Sequence, residues 1–120
     1  MHIKSHIINS IQIAEITSDK LVIEKAEDGL DLLGNIYYQG FDRMIIHAAN
    51  IHPDFFDLKN GMAGEMLQKF SNYRMRLAIV GNFSGYTSKS ITDFIYESNN
   101  GKQVNFLGFV EEALEKLGIN

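Results

Sequence analysis

The chain has 120 residues, 45% of them hydrophobic and 22% charged, a size and balance that suit one folded domain and exclude a disordered chain. It contains no cysteine, which excludes a disulfide scaffold, a zinc–thiolate site and a thiol nucleophile together. The formal charge of -4 counts against nucleic acid as a partner. No apolar run approaches the roughly 20 residues that span a bilayer, and no signal-peptide core is visible, so the expectation is a cytoplasmic protein without a membrane partner.

Isoleucines at 3, 7, 8, 11, 13 and 16, broken at Asn9-Ser10, predict a β-hairpin. Asn-Ser is a weaker turn signal than Asn-Gly, because serine tolerates positive φ less readily. Leu21-Val22-Ile23 reads as a third strand or an extended lead-in. The period then changes: Ala26, Leu30, Leu33 and Tyr37 fall at helical spacing. Glu27, Asp28 and Asp31 suit the positive end of that helix, and Gly40 marks its stop. Met44-Ile45-Ile46 predicts a strand buried on both faces. Pro53 opens a helix whose stripe runs through Leu58, Met62, Met66 or Leu67, and Phe70 to about Asn72. Gly61 and Gly64 interrupt it, and their spacing suggests a small face lying close to a neighbouring backbone.

Leu77-Ala78-Ile79-Val80 predicts the next buried strand. Ser90-Ile91-Thr92-Asp93 has the spacing of a capping box, with Ile91, Phe94 and Ile95 on the core face of its helix. Val104 to Leu107 is the last strand. Val110, Ala113, Leu114 and Leu117 then form the dry side of a final helix, with Glu111, Glu112 and Glu115 on its wet side. A hairpin feeding successive βα units predicts a single α/β domain over residues 1–120, with a mixed sheet and about four helices.

Ligands in open α/β sheets bind beyond the carboxyl ends of the parallel strands. Here that rim carries His47 to Asn50, Gly81 to Ser84, and Leu107-Gly108. A metal set from His47, His52, Asp54 and Asp57 is chemically conceivable, but its spacing matches no ligand pattern. Ser84, Ser88 and Ser90 lack a Gly-x-Ser-x-Gly elbow and read as turn or cap residues. Neither a phosphate-binding P-loop nor a dinucleotide fingerprint is present. The expectation is therefore no enzyme, no cofactor and no metal. Aromatics interleaved with Lys69, Arg74, Arg76 and Lys89 would suit single-stranded nucleic acid, yet most fall at core positions. Residues 1–58 carry four basic and nine acidic groups, whereas 59–102 carry six and three. This is either ordinary surface variation or a bipolar surface that docks on a partner or on its own copy.

Two resemblances follow. The strand Met44 to His47, the loop with Asp57, the glycine-bearing helix and the strand ending at Gly81 resemble the sulfate-transporter and anti-sigma-factor-antagonist (STAS) domain, as does the closing Phe109 to Leu114. Glu27 to Leu32, Phe55 to Lys59, Gly64 to Phe70 and Asp93 to Asn99 more closely resemble the bacterial family catalogued as domain of unknown function 4180. The resemblance to the antagonists implies a phosphorylatable Ser or Thr just after an aspartate. Here Asp57 is followed by Leu58-Lys59-Asn60-Gly61, and no serine or threonine lies between Asn50 and Phe70, so a phosphoryl switch has no acceptor. Asp57 itself is either a helix-capping carboxylate or a partner-facing acid.

The expected function is a small interaction or regulatory module with a STAS-like fold that meets an unidentified protein partner. Its docking rim would comprise His52, Asp54, Asp57, Lys59, Asn82, Ser84 and Lys89. The alternative is a small-ligand pocket at the same rim, lined by Phe55, Phe83 and Tyr86. Self-association as a homodimer is open to the N-terminal hairpin, whose edge carries unpaired backbone groups unless Lys4 and Lys20 protect it.

Overall fold

The structure is a computed structural model that describes residues 1–120. Strands β1 (His2–Ile8) and β2 (Ile11–Thr17) form the hairpin. Asn9 and Ser10 take φ of 52° and 67°, the left-handed pair of a type I′ turn, whose twist matches that of the strands. Serine therefore occupies the position where glycine is most at ease.

Helix α1 (Ala26–Tyr38) leads to β3 (Arg43–His47), α2 (Met62–Asn72) to β4 (Arg76–Val80), α3 (Lys89–Asn99) to β5 (Val104–Leu107), and α4 (Val110–Leu117) closes the chain. Spatial strand order follows chain order. The β1–β2 pair is antiparallel and every later pair is parallel, so the mixed sheet with an antiparallel edge is as the residues predict. Crossovers of one hand, all advancing in one direction, place their helices on one face. Accordingly the larger core joins Ala14, Ile16, Met44, Ile46, Leu77 and Ile79 to residues from α1, α2 and α3. The opposite face is served by α4 alone, through Ala113 and Leu117 over Ile13, Ile45, Ala78 and Val80. Side chains of β3 and β4 alternate between these two cores, which is why both strands read as continuous apolar runs.

Several local expectations are corrected. Residues 53–72 are not one helix: Pro53–Phe56 and Leu58–Asn60 are single 3-10 turns, and α2 begins only at Met62. The break is at Gly61, whose φ of +81° is left-handed. Asn60 stitches across it, its Oδ1 accepting from the Met62 N–H and its Nδ2 donating to the Asp54 carbonyl. Gly61 and Gly64 do not mark a close approach, since a Cβ on either would meet open space. The close approach between these helices is at Gly29 of α1, where a Cβ would collide with the Met66 sulfur of α2.

Leu21-Val22-Ile23 makes no strand and contributes one bridge, Ile23 to Ile51. The dry side of α1 comprises Gly29, Leu32, Leu33 and Ile36, while Tyr37 points outward onto Tyr73. Its start is satisfied by Asp28, whose carboxylate accepts from the N–H groups of Glu24 and Lys25. The cap of helix α3 lies two residues before the predicted one: Ser88 is its N-cap and accepts from the Ile91 N–H, while Asp93 pairs with Lys89.

The two sheet edges differ. On β5 the Asn99 carboxamide accepts from the Phe106 N–H at 2.7 Å and donates to the Phe106 carbonyl at 3.0 Å, standing in for another strand. On β1 no comparable group covers the outer side, and Ile7 is 67% exposed.

Candidate functional site

The parallel strands end at one rim, as their direction requires. His52 opens the first 3-10 turn there, its Nδ1 accepting the Asp54 N–H at 3.0 Å, which puts the proton of the neutral ring on Nε2. Asp57 is exposed and its side chain caps neither flanking turn, so the capping role offered by the sequence is not the one it plays. Asn82 folds back to accept the Ser84 N–H at 3.0 Å, an Asx turn. Lys89 hydrogen-bonds Asp93 at full exposure, and that bond holds its ammonium above its ordinary pKa.

Beneath these polar groups lies a floor of aromatic rings. Phe56 stacks on Tyr86 with centroids 4.5 Å apart and meets Phe83 at 5.8 Å and Phe106 at 6.4 Å. Phe55 is wholly buried beside it. The rings fill the space in which a ligand would be lined by Phe55, Phe83 and Tyr86. What remains is a cleft of about 260 Å³ between Asp57–Lys59 and Ser88–Ile91, below the usual small-molecule range of ~300–1,000 Å³. Asp57 and Lys59 share that cleft, whereas Asp54 lines a separate, shallow depression of about 330 Å³ with Glu24, Asn60 and Glu65, at the lower limit of that range and without an aromatic wall. Asn82, Ser84 and Lys89 line neither. A larger depression, about 760 Å³, is at the other end of the sheet around Tyr37, Phe41 and Arg43.

His47 does not join His52, Asp54 and Asp57. It follows Ile45 in alternation and so turns to the α4 face, and no group of three or more His, Asp or Glu side chains is arranged to hold a metal ion. Instead His47 Nε2 bonds Glu15 Oε2 at 2.8 Å, while His6 Nε2 bonds Glu15 Oε1 at 2.8 Å. One carboxylate thus ties β1, β2 and β3 together beyond the reach of α4. The Glu15 side chain is only 8% exposed, the imidazoles 17% and 29%. Burial by itself would raise the Glu15 carboxyl, but the hydrogen bonds and charges of His47 and His6 outweigh it and hold the group below its ordinary value.

Sequence reasoning overlooked Glu15 and His6. The available signal was parity. With the turn at Asn9-Ser10, His6 pairs with Ile13, one step along the same face from Glu15, so a carboxylate and an imidazole had to meet on a face otherwise carrying Ile11 and Ile13.

Fold and rim together define a small α/β domain with a mixed five-stranded sheet, three helices on one face, one on the other, and a closed strand-end surface. The family model described as domain of unknown function (DUF4180) matches residues 8–117. The chain belongs to that family. No curated protein and no solved structure matches it.

Proposed function

We propose that the protein is a non-enzymatic interaction module on a STAS-like scaffold, which docks a protein partner through the strand-end rim. The observation that carries this reading is the stacked Phe56–Tyr86 floor, which turns the ligand position of an open α/β sheet into a surface. A crown of exposed, chemically varied groups (Asp57, Lys59, Ser84 and Lys89) stands on that floor. Exposed polar groups over a rigid aromatic base give a partner register and charge complementarity without enclosing a metabolite. The resemblance to STAS domains supports docking as the mode of action. The missing hydroxyl after Asp57 argues for a contact that is not controlled by phosphorylation there.

The test is in-cell cross-linking of the tagged chain, compared with a Lys59→Glu, Lys89→Glu double variant. A partner held by the wild type and reduced about tenfold or more in the variant is expected, since reversed rim charge opposes docking. Identical cross-link profiles for the two chains would overturn the reading.

A further inference from the structure

We infer that the chain forms a homodimer through β1, paired antiparallel with β1 of a second copy about a twofold axis at Ser5. The two sheets then become one. This goes beyond the rim reading and does not depend on it.

The turn sets which groups of β1 face outward. A two-residue type I′ loop makes its flanking residues, Ile8 and Ile11, the closing hydrogen-bonded pair. Even-numbered residues of β1 therefore bond inward to β2, and Ile3, Ser5 and Ile7 turn their N–H and C=O groups outward. Nothing in the chain meets those groups, whereas Asn99 seals the opposite edge at Phe106. A long, open edge carrying an exposed isoleucine is a pairing surface.

The sequence of β1 then selects its occupant. Across a twofold axis, facing residues must have the same parity, so only a few registers exist. Centred on Ser5, the pairing sets Ile3 against Ile7 of the second copy and Ile7 against its Ile3. It forms about six main-chain hydrogen bonds. On the other face it sets Lys4 against His6 of the second copy. Moving the centre to Lys4 brings two ammonium groups face to face, and moving it to His6 sets Lys4 against Ile8 and leaves each Ile7 opposite a serine. Centres at Ile3 or Ile7 join a single isoleucine pair over a short overlap, whereas the Ser5 register alone spans the whole strand, makes two isoleucine pairs and keeps the lysines apart. Strand β1 is thus complementary to itself.

The chain has no cysteine, so single cysteines can report the register. Light scattering of the wild type at about 100 µM is expected to give a dimer. Under mild oxidation Ser5→Cys is expected to form a disulfide-linked dimer, because facing residues lie within disulfide reach. Ile3→Cys and Ile7→Cys are each expected to cross-link poorly alone and well when mixed. Tyr38→Cys, at a 91% exposed site on α1, is the control for random collision. Ile7→Lys, with a native circular dichroism spectrum, is expected to weaken association about tenfold or more. A monomeric wild type at that concentration, or Ser5→Cys cross-linking no faster than the control, would overturn the inference. Cross-linking of Ile7→Cys alone as fast as Ser5→Cys would overturn it as well. Loss of the dimer in Ile7→Lys with rim-dependent cross-linking unchanged separates this inference from the proposed function.

Discussion

Glu15 couples three strands with one side chain, because its two carboxylate oxygens accept from imidazoles on β1 and β3. Hydrogen bonds to an ionised acceptor contribute about 1.5–3 kcal/mol each, so the group matters to the sheet beyond its size. Its folded pKa lies below the ordinary value of 4.5. The sign follows: the stabilisation is complete above about pH 4.5 and fades as pH falls through the lowered folded value. Glu15→Gln keeps one acceptor oxygen and offers the second ring an N–H, so that imidazole must change tautomer and the ionised acceptor is lost. It is expected to lose about 1–2 kcal/mol at pH 7 and much less near pH 3, measured by denaturant unfolding at both values. Equal losses at the two pH values would show that the carboxylate charge contributes nothing.

The hairpin poses the same kind of question for an element. Ser10 sits at φ 67°, a conformation that glycine adopts without steric cost. Ser10→Gly is expected to raise stability by about 0.5–1 kcal/mol, seen as a higher Tm, and an unchanged or lower Tm would contradict the turn assignment. Strands such as β3 and β4 were legible in the sequence because both of their faces are dry, so composition alone reveals them. The stretch from Pro53 to Asn72 was not, because its apolar spacing continues while one backbone angle at Gly61 breaks the helix, and Asn60 conceals the break by bonding across it. Glu15 was illegible for another reason. Its partners lie nine and thirty-two residues away, and only the register of two strand pairs brings them within reach. The candidate rim residues lie in the segments that follow β3 and β4. The sequence, however, gives no sign that Phe56, unmentioned among the ligand-lining rings, is the centre of the floor.

At the scale of the molecule the two faces of the sheet are unequally covered, three helices against one. Helix α4 is short, and its end is held by arginines: Arg43 donates to the Leu117 and Ile119 carbonyls and to Asn120, and Arg76 to Lys116 and Ile119. Cations at a helix C-terminus also complement its dipole. Burial and the charge of Arg43, its partner across β3 and β4, lower the pKa of Arg76. Arg43→Ala is expected to cost about 2–3 kcal/mol and to raise amide hydrogen exchange in α4 selectively, with α1 and α2 unchanged. Uniform acceleration through all helices would mean that α4 opens only with the whole domain.

Coverage of the second face by residues 110–117 also sets a timetable. A ribosome makes Ile13, Ile45 and Val80 well before Ala113 and Leu117, the residues that shield them. In that interval these side chains lack the helix that covers them, and uncovered apolar surface is prone to aggregation. Synthesis slowed ahead of codon 110 would therefore be expected to lower the yield of soluble product more than the same delay placed after α4 is complete.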